Sequence, residues 1–166
     1  METPAVHMRP VGPGDLETIV RHRTEMFRES GCSDEDLATM EAGVRPWLES
    51  RLAERTYFGW VIEADGVPVA GLGMMVLDWP PHMYHPSDSR RAYVLNVFVE
   101  PGYLGRGLAS DLMRKAQEEA ERRRIVFMTL HASSQGLPLY KKLGWKPTSE
   151  MSFVTGATTA GASPKK

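Results

Sequence analysis

Val94-Leu95-Asn96-Val97-Phe98-Val99-Glu100-Pro101-Gly102-Tyr103-Leu104-Gly105-Arg106-Gly107-Leu108-Ala109 decides the fold. Its first part predicts a strand, because Val94, Val97, Phe98 and Val99 are β-branched or aromatic. Pro101 and Gly102 stop that strand. From Leu108 the residues Ala109, Leu112, Met113, Ala116 and Ala120 recur at the spacing of one helix face, and Arg114, Lys115, Glu118, Glu119, Arg122 and Arg123 fill the other. A glycine turn that feeds a helix start aims several unpaired N–H groups at one place. The helix dipole adds partial positive charge there, so the turn suits a phosphate. Gly105 and Gly107 carry no Cβ to keep a ligand from the backbone.

Three phosphate-binding loops compete for these residues. A Walker loop needs Gly-Lys-Ser/Thr after its first glycine and four further residues, but Leu108 follows Gly107. A dinucleotide fingerprint needs a third Gly or an Ala, but Gly105-Arg106-Gly107-Leu108-Ala109-Ser110 ends in Ser. No acid closes the following strand, Ile125-Val126-Phe127-Met128-Thr129-Leu130. Leu104-Gly105-Arg106-Gly107-Leu108-Ala109 resembles the pyrophosphate loop of the GNAT acetyltransferase superfamily, Arg/Gln-x-x-Gly-x-Gly/Ala, at every position but the first. Alone, the six residues also describe an ordinary glycine-rich turn. A second stretch makes the match specific. Leu139-Tyr140-Lys141-Lys142-Leu143-Gly144-Trp145 resembles the superfamily's late Leu-Tyr-x-x-Leu-Gly-Phe signature, with Trp for Phe, about 35 residues after the loop. The resemblance covers roughly residues 57–153.

The rest of the chain fits one domain over 1–154. At 166 residues it is long enough for a real core. Apolar content of 42% and charged content of 25% are those of a soluble globular protein. A net charge of −1 gives no ground for a nucleic-acid or membrane-surface partner. A single cysteine, Cys32, excludes an internal disulfide and fits a reducing cytoplasm. No apolar run approaches the ~20 residues of a membrane span, and the N-terminus lacks a signal-peptide pattern.

In chain order, Val6-His7-Met8-Arg9 predicts a first strand. Pro13-Gly14-Asp15 opens a helix carried by Leu16, Ile19, Val20, Arg23 and Phe27 to Gly31. Ser33-Asp34-Glu35-Asp36 caps a second helix through Leu37, Met40, Val44, Trp47, Leu48 and Leu52, which Pro46 bends or divides. Residues 57–63 and 67–76 predict strands joined by an Ala64-Asp65-Gly66 turn. A loop over 78–91 follows. A last strand is expected at Glu150-Met151-Ser152-Phe153-Val154, and a flexible tail over 155–166. The order β-α-α-β-β-β-α-β-α-β predicts an α/β fold with a mixed, mostly antiparallel central sheet and helices on both faces, which is also the fold the resemblance implies.

The resemblance implies an acetyl-coenzyme-A-dependent N-acetyltransferase that needs no metal. Cofactor contacts would come from Val97, Phe98 and Val99 on the strand, from Leu104, Gly105, Arg106, Gly107, Leu108, Ala109 and Ser110 at the helix start, and from Ser133, which stands where many relatives carry Asn. The matching Tyr140 would protonate the departing thiolate. Its bland alternative is a packed ring with a capped hydroxyl. Asn96 reads either as an outward residue meeting solvent or as a bulge that opens the strand, with N–H groups near Leu95 to Val97 stabilising an oxyanion. The general base is not marked: the acid some relatives carry is missing from Arg90-Arg91-Ala92-Tyr93. His131 ends the next strand and reads as a proton acceptor or as a packed residue. Asp78, His82, His85 and Glu25 are further candidates, as is water. Trp79-Pro80-Pro81-His82-Met83-Tyr84-His85-Pro86 reads as the lining of an acceptor pocket or as a rigid loop at a homodimer contact. The expected substrate is a small-molecule amine; the alternatives are a protein or peptide amine, or acyl-coenzyme A binding without turnover.

Overall fold

Apolar residues recur on both faces of the chain over 57–78 and 90–99, and these segments form the centre of the sheet. The computed structural model describes residues 5–155. Its five strands lie in the order β1-β2-β3-β4-β5: β1 Val6–Pro10, β2 Tyr57–Ala64, β3 Val67–Asp78, β4 Arg90–Val99 and β5 Met128–Leu130. The first four pair antiparallel with their sequence neighbours, and β5 pairs parallel with β4. Helices α1 (Leu16–Glu29) and α2 (Asp34–Glu54) bury Ile19, Val20, Leu48 and Leu52 with Tyr57 on one face. Helix α3 (Leu108–Arg122) buries Leu108, Leu112, Met113, Ala116 and Ala120 against Trp60, Ile62, Leu72, Met74 and Val94 on the other. Helix α4 (Leu137–Lys142) follows β5. The mixed, mostly antiparallel sheet with helices on both faces is the architecture the sequence predicts. No helix among the described residues is long and apolar enough to cross a membrane.

Local chemistry explains the joints. Asp65 and Gly66 have φ of 51° and 78°, the two positive values of a type I′ hairpin turn, so Ala64 stays in β2. Ser33 caps α2 by accepting the Asp36 N–H at 3.1 Å. Arg9 forks onto Asp15 at 2.8 Å through both terminal nitrogens, and its Nε reaches Glu63 at 2.9 Å. This ties β1, β2 and the entry to α1 together, and the guanidinium holds the Asp15 carboxyl below the usual range.

Four expectations change. Pro46 does not divide α2, because Leu37, Leu48 and Leu52 on either side of it are all buried and packing outweighs one lost hydrogen bond. β4 begins at Arg90, since β3 continues to Asp78 and pairs with it there. β5 is only three residues long: Ile125 is buried under α3's end and Val126 is 70% exposed. Residues 150–154 form no strand, and Met151, Phe153 and Val154 are 93%, 89% and 75% exposed. A strand needs a ladder, and a cavity of about 320 Å³ separates β5 from this segment. The expected tail beyond Thr155 lies outside the described residues.

His22 is buried from α1, its ring 4.7 Å from that of Phe98, with Nε2 unpartnered. Glu100 lies 3.8 Å from Nε2, but Arg21 already holds that carboxylate. Burial, then the Arg21 charge, push the imidazole down to about 4. The folded protein therefore keeps His22 neutral while the unfolded chain takes up a proton near pH 6.5. The resulting stability is complete above about pH 7 and falls away as pH drops from 6.5 towards 4, by on the order of 3 kcal/mol. Urea midpoints of wild type and His22→Gln across pH 4–8 check this. The difference between them should shrink at the acid end, and a constant difference counts against it.

Candidate active site

Between Gly71 and Gly73 on β3 lies one residue, whereas their partners Phe98 and Leu95 on β4 enclose two. The extra residue makes a bulge, and Asn96 takes φ of 55° there. Asn is one of the few residues that tolerate that conformation. Its side chain is buried on the α1 face, not turned out to solvent. Nδ2 donates to Tyr57 Oη at 3.0 Å, and Oδ1 accepts from Arg23 Nη1 at 2.7 Å. Burial pushes the Tyr57 hydroxyl up to about 12, so it stays protonated. After the bulge, Val97 and Val99 pack on the α3 side.

Gly73 is a site of close approach, since a Cβ there would overlap Tyr57 Oη. Gly73→Ala should expel that hydroxyl from Asn96 and cost about 1–3 kcal/mol, as overpacked cores do. Denaturant titration measures it; unchanged stability would mean that Tyr57 shifts freely.

The β4–β5 ladder ends at Val94 opposite Leu130. β5 ends there, and among the described residues the β4 main chain at Leu95, Asn96, Val97, Phe98 and Val99 has no strand partner on the β5 side. Tyr140 on α4 is buried, 8% exposed, beside Trp145 at 6.3 Å between rings. Its Oη makes no hydrogen bond among the described residues, and burial raises its pKa above 10. Ser133 is exposed; its Oγ accepts the Gly136 N–H at 3.0 Å, so part of its bonding capacity already serves the α4 turn. Tyr140 and His131 also line the cavity beside β5.

At the C-terminal end of β4, Gly105 and Gly107 adopt φ of 75° and 83°, and nothing lies within 4 Å of either missing Cβ. Gly107 is the N-cap of α3 and offers no side-chain cap. The first helical bond runs from Asp111 N to Gly107 O at 3.0 Å. Leu108, Ala109 and Ser110 thus present N–H groups with no partner inside the helix. Leu104 is 64% exposed, and Arg106 lies over the Tyr103 ring at 4.7 Å.

On the α1 face, His131 Nδ1 meets Tyr93 Oη where β4 and β5 part. Burial, then the Glu150 charge, raise the Tyr93 pKa. Arg23, Tyr57 and Tyr93 complete a polar group around Asn96 that the motifs do not name. The available signal is Arg23, a cation on the apolar stripe of α1. The other candidate bases lie elsewhere. Glu25 faces Arg28 at 3.5 Å. Asp78 ends β3 opposite Arg90. His82, Tyr84 and His85 stack with Phe127, and Arg91 lies over Trp79 and Phe127, so the 79–89 loop packs against the entry to β5. Among the described residues, no three His, Cys, Asp or Glu stand together as a metal site requires.

The chain is similar to known proteins. The crystal structure of a GCN5-related N-acetyltransferase from Ralstonia eutropha JMP134 is 47% identical, covering 90% of this chain and 98% of its own, with a TM-score of 0.89. A predicted acetyltransferase from Clostridium acetobutylicum, solved with acetyl-coenzyme A, is 24% identical over 91% of this chain and 96% of its own, with a TM-score of 0.81, a likeness of fold. Bovine thialysine N-epsilon-acetyltransferase is 25% identical over 158 residues, 87% of this chain and 86% of the relative. The sequence model of the acetyltransferase (GNAT) family matches residues 17–145. The chain belongs to that family and is an acetyl-coenzyme-A-dependent N-acetyltransferase.

Proposed function

We propose that the protein moves the acetyl group of acetyl-coenzyme A to a primary amine of a small molecule, by direct attack in a ternary complex. The observation that carries this reading is the end of the β4–β5 ladder just before the Asn96 bulge, with Tyr140 lining the cavity beside β5 and an uncapped helix start after the far end of β4. The residues present fit the cofactor. The helix start, with room above Gly105 and Gly107, suits the pyrophosphate, and the unpaired β4 edge suits the amide groups of pantetheine.

Acetyl-coenzyme A supplies an activated acetyl thioester. The chain's own groups do the rest. Main-chain N–H groups at the bulge would donate to the charge that grows on the carbonyl oxygen. Tyr140 keeps its proton at neutral pH and can give it to the departing sulfur. His131, coupled to Tyr93, can take the proton that the attacking nitrogen sheds. The bovine and porcine relatives are named for acetylating the ε-nitrogen of thialysine, which supports a small-molecule amine here.

The test is a panel of small amines incubated with acetyl-coenzyme A, following free thiol and acetylated product. Acetylation of one or more small amines at rates well above thioester hydrolysis is expected. Transfer confined to peptides would overturn the choice of substrate class.

A further inference from the structure

We infer that Arg23 binds a carboxylate of the acceptor, so that the preferred acceptor is an amine that also carries a carboxylate, such as an amino acid. This rests on the acetyl-transfer reading above and specifies its substrate. Arg9, Arg21, Arg28, Arg45, Arg90, Arg114, Arg122 and Arg123 each face an Asp or Glu in an ion pair. Arg23 faces none among the described residues; Arg51, Arg55, Arg91, Arg106 and Arg124 also lack an acid, but the buried one of these, Arg91, is sandwiched on Trp79 and Phe127 at the entry to β5, away from the bulge. Its partners are neutral: the Asn96 amide oxygen at 2.7 Å and the Phe27 ring at 4.9 Å. Its Nε is buried with no acceptor.

The acids of the neighbouring turns are occupied. Arg28 takes Glu25, Thr24 takes Glu41 at 2.7 Å, and Arg21 takes Glu100. The remaining groups whose charge would reach Arg23 are the Tyr57 and Tyr93 hydroxyls, which burial keeps protonated.

A half-buried cation without a counter-charge is costly, and a guanidinium cannot shed its proton. The compensating charge then arrives with a ligand, and a planar fork of donors selects a carboxylate. The position says which ligand. Arg23 reaches the bulge where β4 leaves β5, on the α1 face, next to the residue where transfer is proposed. The phosphate-suited helix start lies beyond the other end of this stretch of β4, so the cofactor's phosphates have their own site.

The experiment uses the full chain and amines supplied with and without a carboxylate: L-lysine against 1,5-diaminopentane, L-ornithine against 1,4-diaminobutane, and glycine against methylamine. Wild type should favour the carboxylate member of an accepted pair by about 10–100-fold in kcat/KM, the range of a charge-assisted hydrogen bond. Arg23→Gln should bring the two members of a pair to within about twofold of each other, the larger loss falling on the carboxylate amine and appearing in its KM. Arg23→Lys should keep part of the preference, since it retains the charge and loses the fork. Equal or better turnover of carboxylate-free amines by wild type would overturn the inference without any variant. Arg23→Gln slowing both members equally, with acetyl-coenzyme A affinity unchanged, would also overturn it and leave Arg23 a prop for the bulge. Acetylation of no amine in either series, with the cofactor bound, would sink the small-amine reading and this inference with it.

Discussion

Tyr140→Phe lowers the rate of acetyl transfer by roughly 10²–10⁴-fold, the usual cost of losing a positioned acid, if chemistry limits turnover. Cofactor affinity hardly moves, because the ring that packs against Trp145 remains. Stability also stays nearly constant, since Tyr140 Oη has no hydrogen-bond partner among the described residues to lose. These three readouts separate a proton donor from a packed ring. Steady-state turnover, calorimetric titration with acetyl-coenzyme A and a denaturant curve supply them. A variant with full turnover on an identified amine would leave water as the donor.

Gly107→Glu weakens acetyl-coenzyme A binding by about 100-fold or more, which is close to 3 kcal/mol. The position is open, with no heavy atom within 4 Å of where a Cβ would sit. It does place bulk and negative charge at the helix start, where the pyrophosphate needs bare N–H groups. Part of any effect comes from the backbone, because φ of 83° strains every residue with a Cβ by about 1–2 kcal/mol. Gly107→Ala carries that strain alone, so the affinity gap between the two variants isolates charge and bulk. Wild-type binding persists despite Leu104, since the site is mainly backbone. Equal affinity in wild type and a folded Gly107→Glu protein would remove the loop from the cofactor site.

Sequence periodicity and two motifs carried most of the fold, for a physical reason. Helices α1 and α3 bury a face that recurs at the helical period, β2 and β3 are apolar on both faces, and Asp65-Gly66 and Ser33 are local turn and cap chemistry. Residues 150–154 misled because their β-branched and aromatic content describes a strand only where a ladder exists. β5 could not be delimited either, since its length depends on how much of it finds a partner in β4, from Ala92 to Val94. For the site, Gly105, Gly107 and Tyr140 were legible through spacing. The partners of Asn96 were not. Arg23 and Tyr57 reach it across 73 and 39 residues of chain, and no local pattern encodes such meetings. The one visible sign was a cation within the apolar stripe of α1.

The Asn96 bulge has a consequence for anyone engineering this protein. Its backbone sits where glycine rests without strain, so glycine at 96 is a natural choice in a search for heat-resistant variants. That exchange also deletes the amide that joins Arg23 to Tyr57. The buried partners left behind cost about 1–3 kcal/mol each, more than the strain relieved, so backbone tolerance alone misleads the choice at this position.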